Sequence, residues 1–240
     1  MPELQLLLLP MYFRSPAELD CTIDNGLAAT IVRRLEGKGA RVIGWGDGST
    51  IEMVGKRPFT SPADLAGAKA GTYGSRGGVL MWQALGAHPT PTSFAELAPG
   101  FQTGLLDVSV TVPSYYVPTG LNKIAPVMTR LDLYFNSSLT VVSQAAWERL
   151  SPAQRDGLLR ARQRTPLAQV RAEVREFQQR MLDQHLASGG QLAVATPEQR
   201  EAFRKVFAAA WPQIVREAGP EALAFFEAME AARKACEDKS

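Results

Sequence analysis

The sequence is poor in the residues that do covalent and metal chemistry. In 240 residues there are two cysteines, Cys21 and Cys236, and two histidines, His88 and His185. The cysteines stand near opposite ends of the chain, outside any C-x-x-C and far from either histidine, so zinc or haem binding has no ligand spacing to rest on. Whether Cys21 and Cys236 pair depends on the fold, which the sequence leaves open. Charge of either sign is not in excess: 26 Lys and Arg face 24 Asp and Glu, a net charge of +2. In the C-terminal half the signs are interleaved, as on solvated helix faces, and no nucleic-acid partner is expected. Long apolar runs are missing as well. The run in "MPELQLLLLPMYFRSP" is too short to span a bilayer, has no basic residue before it, and contains Pro10 with Arg14 following. It reads as neither a signal peptide nor an anchor, but as a buried strand or extended segment. Internal repeats and low-complexity linkers are absent too. What the chain does have is core material: 45% of its residues are hydrophobic, enough for one large domain or two small lobes.

The first half alternates short β-rich runs with short helices. "ARVIGW" (40–45) and "KAGTY" (69–73) read as strands, "TPTSF" (90–94) as extended, and "LDVSVTV" (106–112) as a half-buried alternating strand. Ser61-Pro62 with Asp64, Ser75, and Ser93 with Glu96 read as helix caps, and Gly67, Gly86 and Gly104 as stops. Strands separated by helices of about ten residues predict βαβ units and a largely parallel sheet. "VMTRLDLYFNSSLTVVS" (127–143) holds two β-rich runs about Asn136-Ser137-Ser138, a bend or a crossing strand. Thereafter the pattern is helical. Leu167, Val170, Val174, Phe177 and Met181 keep helical spacing, predicting a helix from Pro152 to Ala187, bent at Pro166. Phe203, Val206, Phe207, Ala210, Trp211 and Ile214 form the next stripe, and Gly219-Pro220 sets off a last helix.

No catalytic constellation stands out, and the chain reads as a non-enzyme that needs no cofactor. Gly74-Ser75 lacks the G-x-S-x-G spacing and reads as a cap. "GSRGG" has neither a Walker lysine nor a G-x-G-x-x-G register. Asp47, between Gly46 and Gly48, reads as a turn in preference to a ligand contact. Trp82 reads as core. Tyr115 and Tyr116 follow a strand in a Pro-flanked segment, where aromatics line either a cleft or a surface loop.

Residues 44–112 resemble the DctP-type solute-binding proteins of TRAP transporters. The residues that carry the likeness are Lys56-Arg57-Pro58, Pro62, Asp64-Leu65, Gly67, Lys69, Leu85-Gly86-Ala87, Pro89-Thr90-Pro91, Phe94, Glu96-Leu97, Gln102, Gly104 and Asp107, in order. "LPMYFRS" (9–15) and "WERLSPAQRDGL" (147–158) are weaker echoes. The resemblance implies an α/β, two-lobe, periplasmic-binding-protein-like fold of the class II type, with crossing strands and a long helix spanning the lobes. Residues 1–43 and 125–165 would belong to the first lobe, and 44–124 and 166–240 to the second. Against the family pattern residue 1 falls inside the first lobe, so that lobe reads as incomplete, either through a shortened chain or a reduced lobe. The implied role is a periplasmic receptor that captures a small organic solute and delivers it to membrane permease subunits. An alternative is a shortened interaction protein, monomeric or homodimeric, that has lost solute binding.

The resemblance also gives a candidate pocket. The family's two carboxylate-holding arginines fall on Gly71 and Thr50, and its asparagine on Thr111. A bidentate guanidinium is thus missing twice, and a simple C4-dicarboxylate is not expected. Thr50, Gly71, Tyr73, Phe94, Thr111 and Tyr115 are the expected lining. Arg76, just past the Ser75 cap, is either a substitute anchor at a helix N-terminus or a solvated first-turn residue.

Overall fold

The computed structural model describes residues 1–237. One mixed sheet runs through the molecule. Its strands are β1 (Ala40–Gly55), β2 (Lys69–Thr72), β3 (His88–Pro91), β4 (Val108–Thr111), β5 (Val127–Ser143) and β6 (Gln191–Val194), in the order β3-β2-β4-β1-β5-β6. The helices are α1 (Pro16–Thr22), α2 (Ala28–Glu36), α3 (Arg76–Ala84), α4 (Phe94–Thr103), α5 (Pro113–Tyr116), α6 (Gln144–Arg149), α7 (Pro152–Gln163), α8 (Leu167–Ala187), α9 (Pro197–Glu217) and α10 (Ala222–Lys234).

The expectation of a largely parallel sheet holds only in part. β2 is parallel to β3 and β4, and β5 to β6, as βαβ units require. The two long central strands are antiparallel to each other, and β1 is also antiparallel to β4. Their β-rich sequences carry no direction, so helix spacing alone could not show that β1 runs against its neighbours. Nor is there a bend at Asn136-Ser137-Ser138: β5 continues through it, pairing Ser137 with Asp47 and Ser138 with Gly46. Asp47 is accordingly not a turn. It lies within β1, at one of three register shifts against β5, and its carboxylate accepts from the Ser49 N–H at 2.7 Å.

Three further expectations change. The apolar start is a 3₁₀ helix, Pro2–Leu8, rather than a strand. Glu3 and Leu6 are its buried positions, three apart, which is the repeat that eclipses side chains in a 3₁₀ turn, and Leu9 is buried just past its end. The helix from Pro152 to Ala187 is broken, not bent: α7 ends before Pro166, whose ψ of 144° is extended, and α8 starts at Leu167. Proline disfavours helical backbone in the residue before it and has no N–H to continue the ladder. β4 is buried on both faces rather than one; Ser109 satisfies its hydroxyl on the Gly71 carbonyl at 3.2 Å. The caps are as read: Ser75 accepts from the Gly78 N–H, Ser93 and Glu96 form a capping box, and Gly104 takes a left-handed φ of 72°. Trp82 is fully buried.

Helix α9 ties the interior together. Phe203 and Phe207 pack with Met53, Trp82 and Leu131, while Ile214 and Val215, two or three turns on, pack with Leu6, Ile23 and Phe225. The second of these clusters also holds α10, which lies on the N-terminal segment. A Cys21–Cys236 disulfide fixes that contact across 215 residues of chain.

Candidate functional site

Backbone strain points to one region. Apart from glycines, the described residues with positive φ are Met11 (53°), Ser49 (84°) and Asp132 (54°). Left-handed backbone at residues with a Cβ is costly and persists where surrounding contacts enforce it, often at binding sites. Met11 is held by its N–H on the Leu133 carbonyl at 2.8 Å. Asp132 is held by its N–H on the Glu52 carboxyl at 3.1 Å and by its own carboxylate on Arg200.

Two cavities meet at Asp132. One, of about 460 Å³, lies towards α9 between Met11, Arg14, Arg200 and Arg204. The other, of about 390 Å³, lies beneath α8 and is lined by Thr50, Glu52, Pro113, Arg130, Arg175 and Gln178, among others. Both volumes suit a small solute.

The electrostatics of the second cavity are uneven. Glu52 is 3% exposed and accepts from the N–H groups of Leu131 and Asp132. Burial, and then the charge of Asp132, push its carboxyl up to about 8, so at neutral pH it is mostly protonated. Arg175 spans Asp20 at 2.7 Å and Asp47 at 2.8 Å, and Arg171 joins Asp20 and Asp24. This network fastens α8 to α1 and β1. Gln178, nine-tenths buried, accepts from the Thr50 N–H at 3.2 Å through its amide oxygen, while its amide nitrogen has no partner. Arg130 takes part in none of the ion pairs found among the described residues.

The residues expected from the sequence fall in three places. Tyr73, Phe94 and Tyr115 form an aromatic row: Tyr73 stacks on Phe94 at 4.3 Å between ring centroids, and Phe94 meets Tyr115 at 4.8 Å. Tyr73 donates to the Val110 carbonyl and Tyr115 to the Phe94 carbonyl. Tyr73 and Phe94 line a shallow bowl of about 450 Å³ on the surface. Gly71 and Thr111 lie on the strands behind this row. A Cβ on Gly71 would sit 3.0 Å from Ser109 Oγ and 3.1 Å from Leu106 Cδ1, so that position faces packed atoms. Thr111 is buried opposite Glu52 in the β1–β4 register, with its hydroxyl near that of Tyr73. Thr50 lines the cavity beneath α8. Arg76 joins none of these; it is half exposed on the first turn of α3 and paired with Glu217 of α9.

Sequence reasoning did not single out Glu52, Arg130 or Gln178. A signal existed for one of them: Arg130 and Asp132 interrupt an apolar strand two residues apart, which places both on one face. Gln178 sits beside the apolar stripe of α8 and carries no such mark.

Residues 1–218 match the model of the DctP family, described as bacterial extracellular solute-binding protein, family 7. The chain is 28% identical over 203 residues to the 2,3-diketo-L-gulonate-binding periplasmic protein YiaO of Escherichia coli (strain K12), covering 84% of this chain and 61% of that protein. The fold matches a TRAP periplasmic solute-binding protein from Sulfitobacter sp. NAS-14.1 with bound β-D-galacturonate. There the TM-score is 0.85 at 20% identity, over 95% of this chain and 75% of that one. It also matches the periplasmic ectoine-binding protein of Halomonas elongata, at a TM-score of 0.87 and 18% identity, over 98% of this chain and 77% of that one. The chain spans about half to two thirds of the length of the curated relatives it matches.

Proposed function

The chain belongs to the DctP family of bacterial extracellular solute-binding proteins, and on that premise we propose that it is the periplasmic receptor of a TRAP-type transporter. In this reading it takes a small organic acid into the cavity beneath α8 and hands it to the transporter's membrane subunits. The observation that carries the reading is the cavity of about 390 Å³ itself, with strained backbone at Ser49 and Asp132 beside it and a buried amide left unpaired at its wall. Among the described residues no helix is long and apolar enough to cross a membrane. We extend the same reading to the lobe division expected from the sequence, 1–43 with 125–165 and 44–124 with 166–240, except that α10, which packs on the N-terminal segment, is grouped with the first lobe and not the second.

Two of the three relatives named above bind a 2,3-diketo-L-gulonate and a β-D-galacturonate, both sugar-derived monocarboxylates, and the third binds ectoine; we extend the sugar-acid class to this chain. A C4-dicarboxylate suits the cavity less. For two carboxylates the wall offers one guanidinium outside any ion pair among the described residues, Arg130, since Arg175 is taken up by Asp20 and Asp47, and the positions where the family resemblance expects guanidinium groups hold Thr50 and Gly71. The test is thermal unfolding of the purified protein in the presence of acidic and neutral sugars. Sugar acids are expected to raise Tm in a concentration-dependent way. A Tm that no acidic or neutral solute moves would refute the receptor reading and favour an interaction protein that has lost solute binding.

A further inference from the structure

We propose that Arg130 is the anion anchor of the cavity beneath α8. It takes the carboxylate of a hydroxylated monocarboxylate while the side-chain amide of Gln178 donates to a second oxygen of the same solute. The inference rests on the receptor reading above and assigns its ligand class and its anchoring residues.

The charges on the cavity wall lead to it. Four ionisable side chains matter: Glu52, Arg130, Asp132 and Arg175. Arg175 is taken up by Asp20 and Asp47, and Asp132 by Arg200. Glu52 turns its carboxyl to the backbone N–H groups of Leu131 and Asp132, and its raised pKa keeps it mostly uncharged at neutral pH, so it does not cancel Arg130. Arg130 is therefore the unmatched charge on this wall. An unpaired guanidinium in a partly enclosed site favours an anion, and its planar fork favours a carboxylate.

The second observation is independent of charge. Gln178 of α8 lines the same cavity as Arg130 of β5. Its amide oxygen is fixed by the Thr50 N–H, which sets the orientation of the side chain and leaves the nitrogen as a donor without an acceptor. A buried donor in that state is costly and is normally satisfied; a hydroxyl or carbonyl oxygen of a solute would satisfy it. The protonated Glu52 can serve a further hydroxyl. The wall thus offers a place for one carboxylate and polar partners for the rest of a hydroxylated solute.

The experiment uses the full chain and four probes: D-galacturonate, D-glucuronate, D-galactose and succinate. Binding is measured by calorimetry and by the shift in Tm for the parent, Arg130→Gln, Arg130→Lys and Gln178→Ala. The uronates are expected to bind the parent better than galactose or succinate. Arg130→Gln should weaken uronate binding by about tenfold or more, and Arg130→Lys should recover part of the loss because the charge returns without the fork. Gln178→Ala should weaken uronate binding several-fold. If Arg130→Gln binds a uronate as tightly as the parent, or if galactose binds the parent as tightly as galacturonate, the inference fails while the receptor reading stands. If Arg130→Gln does not fold, undiminished binding in both Arg130→Lys and Gln178→Ala overturns it. If none of the acidic or neutral probes binds the parent, both fail.

Discussion

Replacing Glu52 by glutamine should remove a pH-dependent loss of stability. In the folded protein the Glu52 carboxyl titrates at about 8 instead of 4.5, because burial, helped by the charge of Asp132, opposes ionisation. The unfolded chain releases this proton near the ordinary value. Between the two values the folded state therefore holds one proton more than the unfolded state, and stability falls as pH rises. This contribution is complete below about 4.5 and is lost as pH climbs to about 8. One proton corresponds to about 1.4 kcal/mol per pH unit, so the parent should lose about 3 kcal/mol between about pH 5.5 and 7.5 through this group. The Glu52→Gln side chain cannot ionise, yet its amide oxygen can still accept from the Leu131 and Asp132 N–H groups. The parent should therefore lose roughly 6–12 °C more of Tm than the variant across that range. Urea unfolding of both proteins at matched pH values reads the difference directly, because other titrating groups cancel between them. Parallel stability curves for the parent and Glu52→Gln would refute the account of a neutral carboxyl at the cavity wall.

Gly71→Arg should lower stability by about 1–3 kcal/mol without creating succinate binding, because even a Cβ there presses on Ser109 and Leu106; a stable, succinate-binding variant in calorimetry would contradict the packing described. Replacing Cys21 and Cys236 together by serine should cost about 2–5 kcal/mol in urea unfolding, since the bridge closes a loop of 215 residues between α1 and the chain's end; an unchanged midpoint would show that the bridge does not form. Arg175→Ala should cost about 2–3 kcal/mol, below the full value for a buried pair because the arginine is 37% exposed. It leaves the nearly buried Asp47 without its cation, and a loss under half a kcal/mol by the same measurement would show that the network does not hold α8 down.

The helix ends were the most legible part of the sequence, because a cap is a local device: Ser61 with Asp64, Ser75, and Ser93 with Glu96 all act as their spacing implies. The path of β1 and β5 was not legible. A run such as "ARVIGWGDGST" shows β-rich character but not its partner, and Gly46-Asp47-Gly48 resembles a turn until Ser137 and Ser138 are seen to pair across from it. The bridge between Cys21 and Cys236, and the grouping of α10 with the N-terminal segment, depend on contacts more than 200 residues apart. Tyr73, Phe94 and Tyr115 do come together, but at a surface bowl apart from the cavity beneath α8, of whose lining the sequence had marked Thr50 alone. The candidate site was not legible through its charges. Whether Arg76 or Arg130 stands free is decided by Glu217 on α9 in the first case, and in the second by Asp20, Asp47 and Arg200 taking up the other charges on the wall.

Calorimetric titration of the purified parent protein with D-galacturonate, with D-galactose and succinate titrated alongside, tests the central claim most directly. The account predicts saturable one-to-one binding of the sugar acid and at least about tenfold weaker binding of the neutral sugar and of the dicarboxylate. Succinate binding as tight as galacturonate binding, or no heat from any of the three, would contradict it.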